Sequence, residues 1–403
     1  MMNKVAVVKC ANYEEVKIFP AIQNALELIG GVKKFISPGQ KVLLKPNLAG
    51  PYSPERAITT HPFIIKALTK IFQSAGAKVS IADSPTGIHN PSYLKLVYKK
   101  TGMEEIADET GAELVYDTEA KEISYPQGKQ IKYLTIFKPI LDTDVLVSVA
   151  KLKTHLYTRF TGATKNLYGT IPGVVKVAYH SKFQDPDKFS QLLLDIHNYL
   201  KPKLSIIDGI TGMEGNGPAW GKPKNVGVLI AGENALSCDW VSCQIIGINP
   251  KTVPILYLEK VAAPEIVGAE IKEVAIPDFL SPPPTTVKDG LIAIRWVPKF
   301  LRDRFGYHLL SQPRVNPEKC IACKICIEGC PQQTIELQDI PSPASLVPSP
   351  LTGEGKGEGG DVRGKAVIIE KNCIRCWCCS ENCPEGAIEL KQSFLGKLFT
   401  KLS

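Results

Sequence analysis

The chain has 403 residues, enough for two or three domains, and is 44% hydrophobic, 22% charged and 7% aromatic. That is the composition of an ordinary folded protein, and no apolar run is long enough to cross a bilayer. The net charge of +8 is spread along the chain. It suits an anionic ligand, an acidic partner or a membrane surface. With no basic block and no basic–aromatic motif, nucleic acid is not an expected partner.

The opening, MMNKVAVVKC, is too short and too alternating for a signal peptide and reads as a first strand, so a cytoplasmic location is expected. Residues 1–290 then alternate between strand and helix patterns. KVAVVK precedes a helical pattern near 18–30. KVLLKPN precedes a helix opening at HPFIIKALTKIFQSAG. AKVSIADSP, DVLVSVAKLKTH, KPKLSIIDGITG and KNVGVLIAGENALSCD follow. These apolar runs are short, β-branched and nearly continuous, as buried parallel strands are. The spacing predicts an α/β domain whose mostly parallel sheet carries helices on both faces. The stretch 118–142 alternates around a QG turn and predicts an antiparallel hairpin attached to that sheet.

Open α/β sheets bind ligands outside the carboxyl ends of their strands. The runs above deliver Lys45 and Asn47, then Asp83 and Ser84, then Lys151, Lys153 and His155, then Asp208 and Glu214. Asp239 opens a helix after SCD, and the glycine-rich loop TGATKNLYGTIPG adds Lys165 and Asn166. Together they predict a cleft for a small anion, with lysines as its ligands and His155 or an acid moving protons. Each residue also has a structural reading. A strand-end Asp caps helices, a strand-end Lys pairs with it, and Lys151 and Lys153 could be solvated. No P-loop or well-placed dinucleotide fingerprint appears; GEGKGEGG lies in an insert without a flanking strand and helix.

The order KPN, ADSP, KLKTH, GATKNLYG, DGITGMEGNGP, SCD resembles the family known as domain of unknown function 362, over about 5–290. Its members are often joined to a ferredoxin module. The resemblance implies an iron–sulfur protein and supplies no catalytic assignments.

Residues 291–312 read as a connecting helix, with Arg295, Lys299, Arg302 and Arg304 among aromatic and aliphatic residues. A helix laid on a membrane surface is the alternative. Then CIACKICIEGCP and CIRCWCCSENCP repeat the spacing C-x2-C-x2-C-x3-C-P, followed by PQQTIEL and PEGAIEL. Twelve cysteines without a secretory signal argue for metal ligation rather than disulfides. Three cysteines at intervals of three wrap one cluster, while the fourth, on the next helical turn, points toward the other half. This predicts two [4Fe–4S] clusters, one on Cys320, Cys323, Cys326 and Cys383, the other on Cys373, Cys376, Cys379 and Cys330. Structural zinc is the alternative, although zinc sites bring separated C-x2-C pairs. Cys378 is surplus and reads as a small packed side chain.

Over 313–391 the chain resembles a bacterial-type two-cluster ferredoxin, a small α+β module, which implies low-potential electron transfer. It departs in an insert rich in Pro, Gly and Ser, 340–365, read as a loop without a core. The tail 392–403 can form an amphipathic helix, packed on the protein or on a membrane surface.

Three functions follow. The chain is an oxidoreductase passing electrons to or from a small anionic substrate, an electron carrier or assembly subunit whose large domain binds a redox partner protein, or a non-redox enzyme with a structural ferredoxin module.

Overall fold

The computed structural model describes residues 3–85, 90–183, 185–282, 312–339 and 364–391. The predicted connecting helix lies outside these residues except for Gln312, as do the amphipathic tail and all but the last two residues of the insert. The chain divides into two compact units, Met1–Pro283 and Pro284–Ser403.

The first unit is built on one large sheet. Its strands are Lys4–Lys9 (β1), Lys41–Pro46 (β2), Lys78–Ile81 (β3), Glu113–Leu114 (β4), Val145–His155 (β7), Arg159–Thr161 (β8), Leu204–Glu214 (β9), Lys222–Gly232 (β10) and Glu265–Gly268 (β11). The order across the sheet is β11-β1-β10-β9-β7-β2-β3-β4, with β8 paired to β7. β4, β3, β2, β7 and β9 are mutually parallel. β10 runs against both β9 and β1, and β8 runs against β7. The sheet is thus mixed and mostly parallel.

Period-two alternation sorts each strand between two cores. On β7, Val145, Val147 and Val149 face one core, where Ile18 and Leu26 of helix Glu15–Leu28 and Ile64 and Leu68 of helix Pro62–Ser74 pack. Leu146, Ala150 and Leu152 face the other, with Leu192 and Leu193 of helix Pro186–Leu200 and Val241 of helix Ala235–Ile245. Helix starts follow local chemistry. His61 accepts from the Phe63 N–H with Pro62 at the first helical position, and Asp185 accepts from Asp187 and Lys188 before Pro186.

The hairpin forms, from Ala120–Ser124 (β5) and Tyr133–Phe137 (β6), but as a separate two-stranded sheet. It joins the domain through side chains: Leu134, Ile136 and Phe137 are fully buried in the core. Its turn is fastened by Asp195, whose carboxylate accepts from the N–H groups of Lys129, Gln130 and Ile131.

The second unit pairs Gln312–Val315 (β12) with Ile388–Lys391 (β15), and Ile335–Asp339 (β13) with Gly364–Ile368 (β14), all antiparallel. Gly364 and Lys365, expected in the insert, open β14 instead, with Gly364 opposite Asp339. The sequence duplication is repeated in the backbone. Ala322 and Arg375 sit at φ 57° and 54°, Lys324 and Trp377 at 64° and 66°. These left-handed residues alternate with the cysteines and curl each loop around its thiols.

Candidate functional site

The carboxyl ends of β2, β7 and β9 and the loop after β3 bring together a buried set of charges. Lys45, Lys151, Lys153, His155, Asp83 and Asp208 are all 3% exposed or less. Lys151 and Lys153 are therefore not solvated.

Lys45 meets Asp83 Oδ1 at 2.6 Å, and its Nζ also donates to Pro46 O and Asn166 Oδ1, both at 3.1 Å. Asp83 further accepts from the N–H groups of Leu48 and Ser84. Asn166 donates through Nδ2 to Lys45 O and Ser148 Oγ, and its Oδ1 accepts from Asn47 at 3.4 Å. Gly169 closes over the ion pair: a Cβ there would stand 2.2 Å from Asp83 Oδ1 and 2.4 Å from Lys45 Nζ.

Beside this pair, Lys151 Nζ donates to Asp208 Oδ2 at 2.9 Å and to the Tyr13 hydroxyl at 2.8 Å, while Tyr13 donates to Asp208 Oδ1 at 2.8 Å. Asp208 also accepts from the His61 N–H, and the His61 ring stacks on Tyr13 with centroids 3.7 Å apart. Burial lowers the pKa of both Lys45 and Lys151, opposed by Asp83 and Asp208 respectively. Burial also pushes His61 down to about 4. Two of the sequence-derived acids thus each neutralise one lysine.

Lys153 donates to Ile58 O at 2.7 Å. His155 Nδ1 accepts from the N–H groups of Tyr157 and Thr158, at 3.0 and 3.2 Å, which puts the proton of the neutral ring on Nε2. Burial first, then Lys165, His180 and Lys153, hold His155 well below the usual histidine range. Lys165 is half-buried at the rim, 5.9 Å from the centre of the Tyr168 ring.

Two residues of the expected set stand elsewhere. Asp239 accepts from the N–H groups of Ala163 and Thr164, at 2.6 and 3.0 Å. It anchors the loop that carries Lys165 and Asn166, and burial raises its pKa to about 7. Glu214 accepts from the Leu280 N–H instead.

In the second unit the thiols ring two cavities. Cys320, Cys323, Cys326 and Cys383 line one; Cys330, Cys373, Cys376 and Cys379 line the other. Each therefore takes three cysteines from one repeat and one from the other. Among the described residues, no three His, Cys, Asp or Glu side chains converge on a point as ligands of a single metal ion do. Three thiols from one repeat and one from the other suit a multi-iron cluster better than zinc, whose sites bring separated C-x2-C pairs. Burial and the neighbouring thiols push Cys326 up to about 11, a repulsion that bound iron relieves. Cys378 is buried and lines neither cavity.

Residues 42–244, about half the chain, match the family described as a domain of unknown function (DUF362). The chain belongs to the DUF362 family. In this DUF362 protein, residues 319–387 match a 4Fe-4S dicluster domain, so the chain is also an iron–sulfur protein of the ferredoxin type. A relative is the thylakoid-associated protein sll1697 of Synechocystis sp., 31% identical over 267 residues that cover 64% of this chain and 79% of that one. Among solved structures, the lactate racemase apoprotein of Thermoanaerobacterium thermosaccharolyticum aligns with a TM-score of 0.39 and 17% identity. The alignment covers 60% of this chain and 56% of that one, so the DUF362 chain spans just over half of the racemase. No helix among the described residues is long and apolar enough to cross a membrane.

Sequence reasoning missed Tyr13, His61, Lys176 and His180 of this DUF362 protein. Tyr13 lies in a loop with no motif. His61 reads as a helix cap, which it also is. Lys176 and His180 share the helix Gly173–Lys182, and their i, i+4 spacing was the available signal.

Proposed function

We propose that this DUF362 protein is an oxidoreductase whose two [4Fe–4S] clusters exchange electrons with a small anionic substrate at the carboxyl edge of the sheet. One cluster is held by Cys320, Cys323, Cys326 and Cys383, the other by Cys330, Cys373, Cys376 and Cys379. Bound clusters of this kind accept and release single electrons at low potential. The observation that carries the reading is the gathering of cationic side chains about His155, a local positive field: Lys153 precedes it by two residues on β7 and is buried with it, and the charges of Lys165 and Lys153 both act on its ring. Such a field attracts an anion, and burial strengthens that attraction.

In this reading Lys153 and Lys165 hold the anion, and His155 offers it a neutral Nε2–H donor. Lys45, Asp83 and Asn166 fix the floor of the cleft, as Lys151 and Asp208 fix its side. Asp239 acts through the loop it anchors. A redox partner protein supplies or removes the electrons. The name of the thylakoid-associated relative favours, as a second reading, a location at a membrane surface rather than free in the cytoplasm; flotation with vesicles separates the two.

Anaerobically prepared protein should hold about eight irons and eight sulfides per chain. Lys153→Met should weaken binding of small carboxylates and leave the cluster spectra unchanged. Zinc in place of iron, or carboxylate affinity untouched by Lys153→Met, would end this reading.

A further inference from the structure

Lys45 and Lys176 both approach the Asp83–Ser84 corner, and their hydrogen bonding differs. Lys45 has three acceptors, Asp83 Oδ1, Pro46 O and Asn166 Oδ1, which satisfies all three ammonium donors. Lys176 is 3% exposed, and among the described residues its Nζ donates to a single acceptor, Ser84 O. Asp83 is already engaged by Lys45 and two backbone N–H groups. One turn along the same helix, His180 is 6% exposed and stacked on Phe189, and its Nδ1 has no partner among the described residues. The ammoniums of Lys165 and Lys176 each stand 5.9 Å from the centre of one ring, Tyr168. Lys165 and Gly169 are half-buried, which gives the group a mouth.

We propose that Lys176 and His180 are the inner ligands of the anion site, and that a compact carboxylate or phosphate bound there enters together with a proton taken up by Lys176. This deepens the reading of the cleft as an anion site, and rests on it.

An ammonium buried with one acceptor and no counter-charge of its own is costly. Burial pulls Lys176 down to about 7; Asp83 opposes the shift, and Lys45 and Lys165 add to it. Without an anion, Lys176 is therefore largely a neutral amine in mildly alkaline solution. A bound anion supplies the missing charge and restores the ammonium. The sign follows: affinity is greatest below pH 7 and falls as pH rises above it, by about tenfold per pH unit while one proton is taken up. The histidines stay out of this titration. His180 is held down at about 3 by burial, Lys165 and Lys176, and His155 lies well below its usual range. Asp239, at about 7, does titrate in the window, but its oxygens face backbone N–H groups.

The test is calorimetric titration of the full-length anaerobic holoprotein with oxalate and with inorganic phosphate, near pH 8, in two buffers of different ionisation enthalpy. The wild type should take up close to one proton per anion bound. Lys176→Met should bind at least tenfold more weakly with no proton uptake. Lys176→Arg should bind without uptake and without the pH dependence, because a guanidinium stays charged. His180→Phe should weaken binding and keep the uptake. Unchanged cluster spectra and melting temperature certify each variant. If Lys176→Met retains affinity and uptake while Lys165→Met loses binding, the anion cleft stands and this inference is overturned. If neither anion binds the wild type, both are overturned.

Discussion

At the scale of single residues, two buried lysines face one carboxylate, and geometry gives it to Lys45. The Lys45–Asp83 pair is enclosed, with Gly169 against it, so removing one partner strands the other charge. Asp83→Asn should therefore cost about 3–5 kcal/mol in chemical denaturation. The double variant Lys45→Met, Asp83→Asn should lose less than the sum of the single losses, because neither charge is left alone. The same scale decides the cysteines. Cys383→Ala should damage the cluster of Cys320, Cys323 and Cys326, which share its cavity. Cys378→Ala should leave both clusters intact. Spectra that resolve the clusters check this, and iron loss in the Cys378 variant would show that the wrong thiols were assigned. The cysteine grouping was legible because duplication fixes both spacing and direction. The partners of the lysines were not, since Tyr13 and His61 reach the cleft only through the path of loops.

At the scale of elements, the strand order and the hairpin show where pattern reading stops. A buried strand in a parallel sheet and one in an antiparallel pair carry the same continuous apolar run, so nothing in KNVGVLIAG marked β10 as reversed. The hairpin's alternation was correctly readable, but alternation does not say which sheet a hairpin joins. Here it pairs with no other strand among the described residues and is held by its apolar face and by Asp195. Asp195→Ala would leave three buried or half-buried N–H groups without that acceptor, at about 1–3 kcal/mol each if no water replaces it. Hydrogen exchange should then accelerate at 129–137 well before the central strands β7 and β9 are affected. Uniform acceleration across the domain would mean the hairpin is part of the global core.

At the scale of the whole molecule, a ferredoxin module and an α/β domain with charged strand ends share one chain. The module was legible from its cysteine spacing, and the gathering of charge from residues that repeatedly end apolar runs. What composition could not reveal is how the charges divide. The structure pairs Lys45 with Asp83 and Lys151 with Asp208, and the proposed anion field is that of the other lysines near His155. Oxidoreductase chemistry requires that this field and the clusters act on one reaction. The direct measurement is anaerobic reoxidation of the reduced clusters by a panel of small 2-oxo acids and other compact carboxylates, in wild type and in Lys165→Met. Reduction of a carbonyl to a hydroxyl takes two electrons and two protons, so two singly reduced clusters can supply one turnover. At least one compound should reoxidise the wild-type clusters with matching product and fail to do so in Lys165→Met, whose clusters remain intact. Reoxidation at equal rates in both proteins, or by no carboxylate at all, would contradict the oxidoreductase reading and leave the chain an electron carrier.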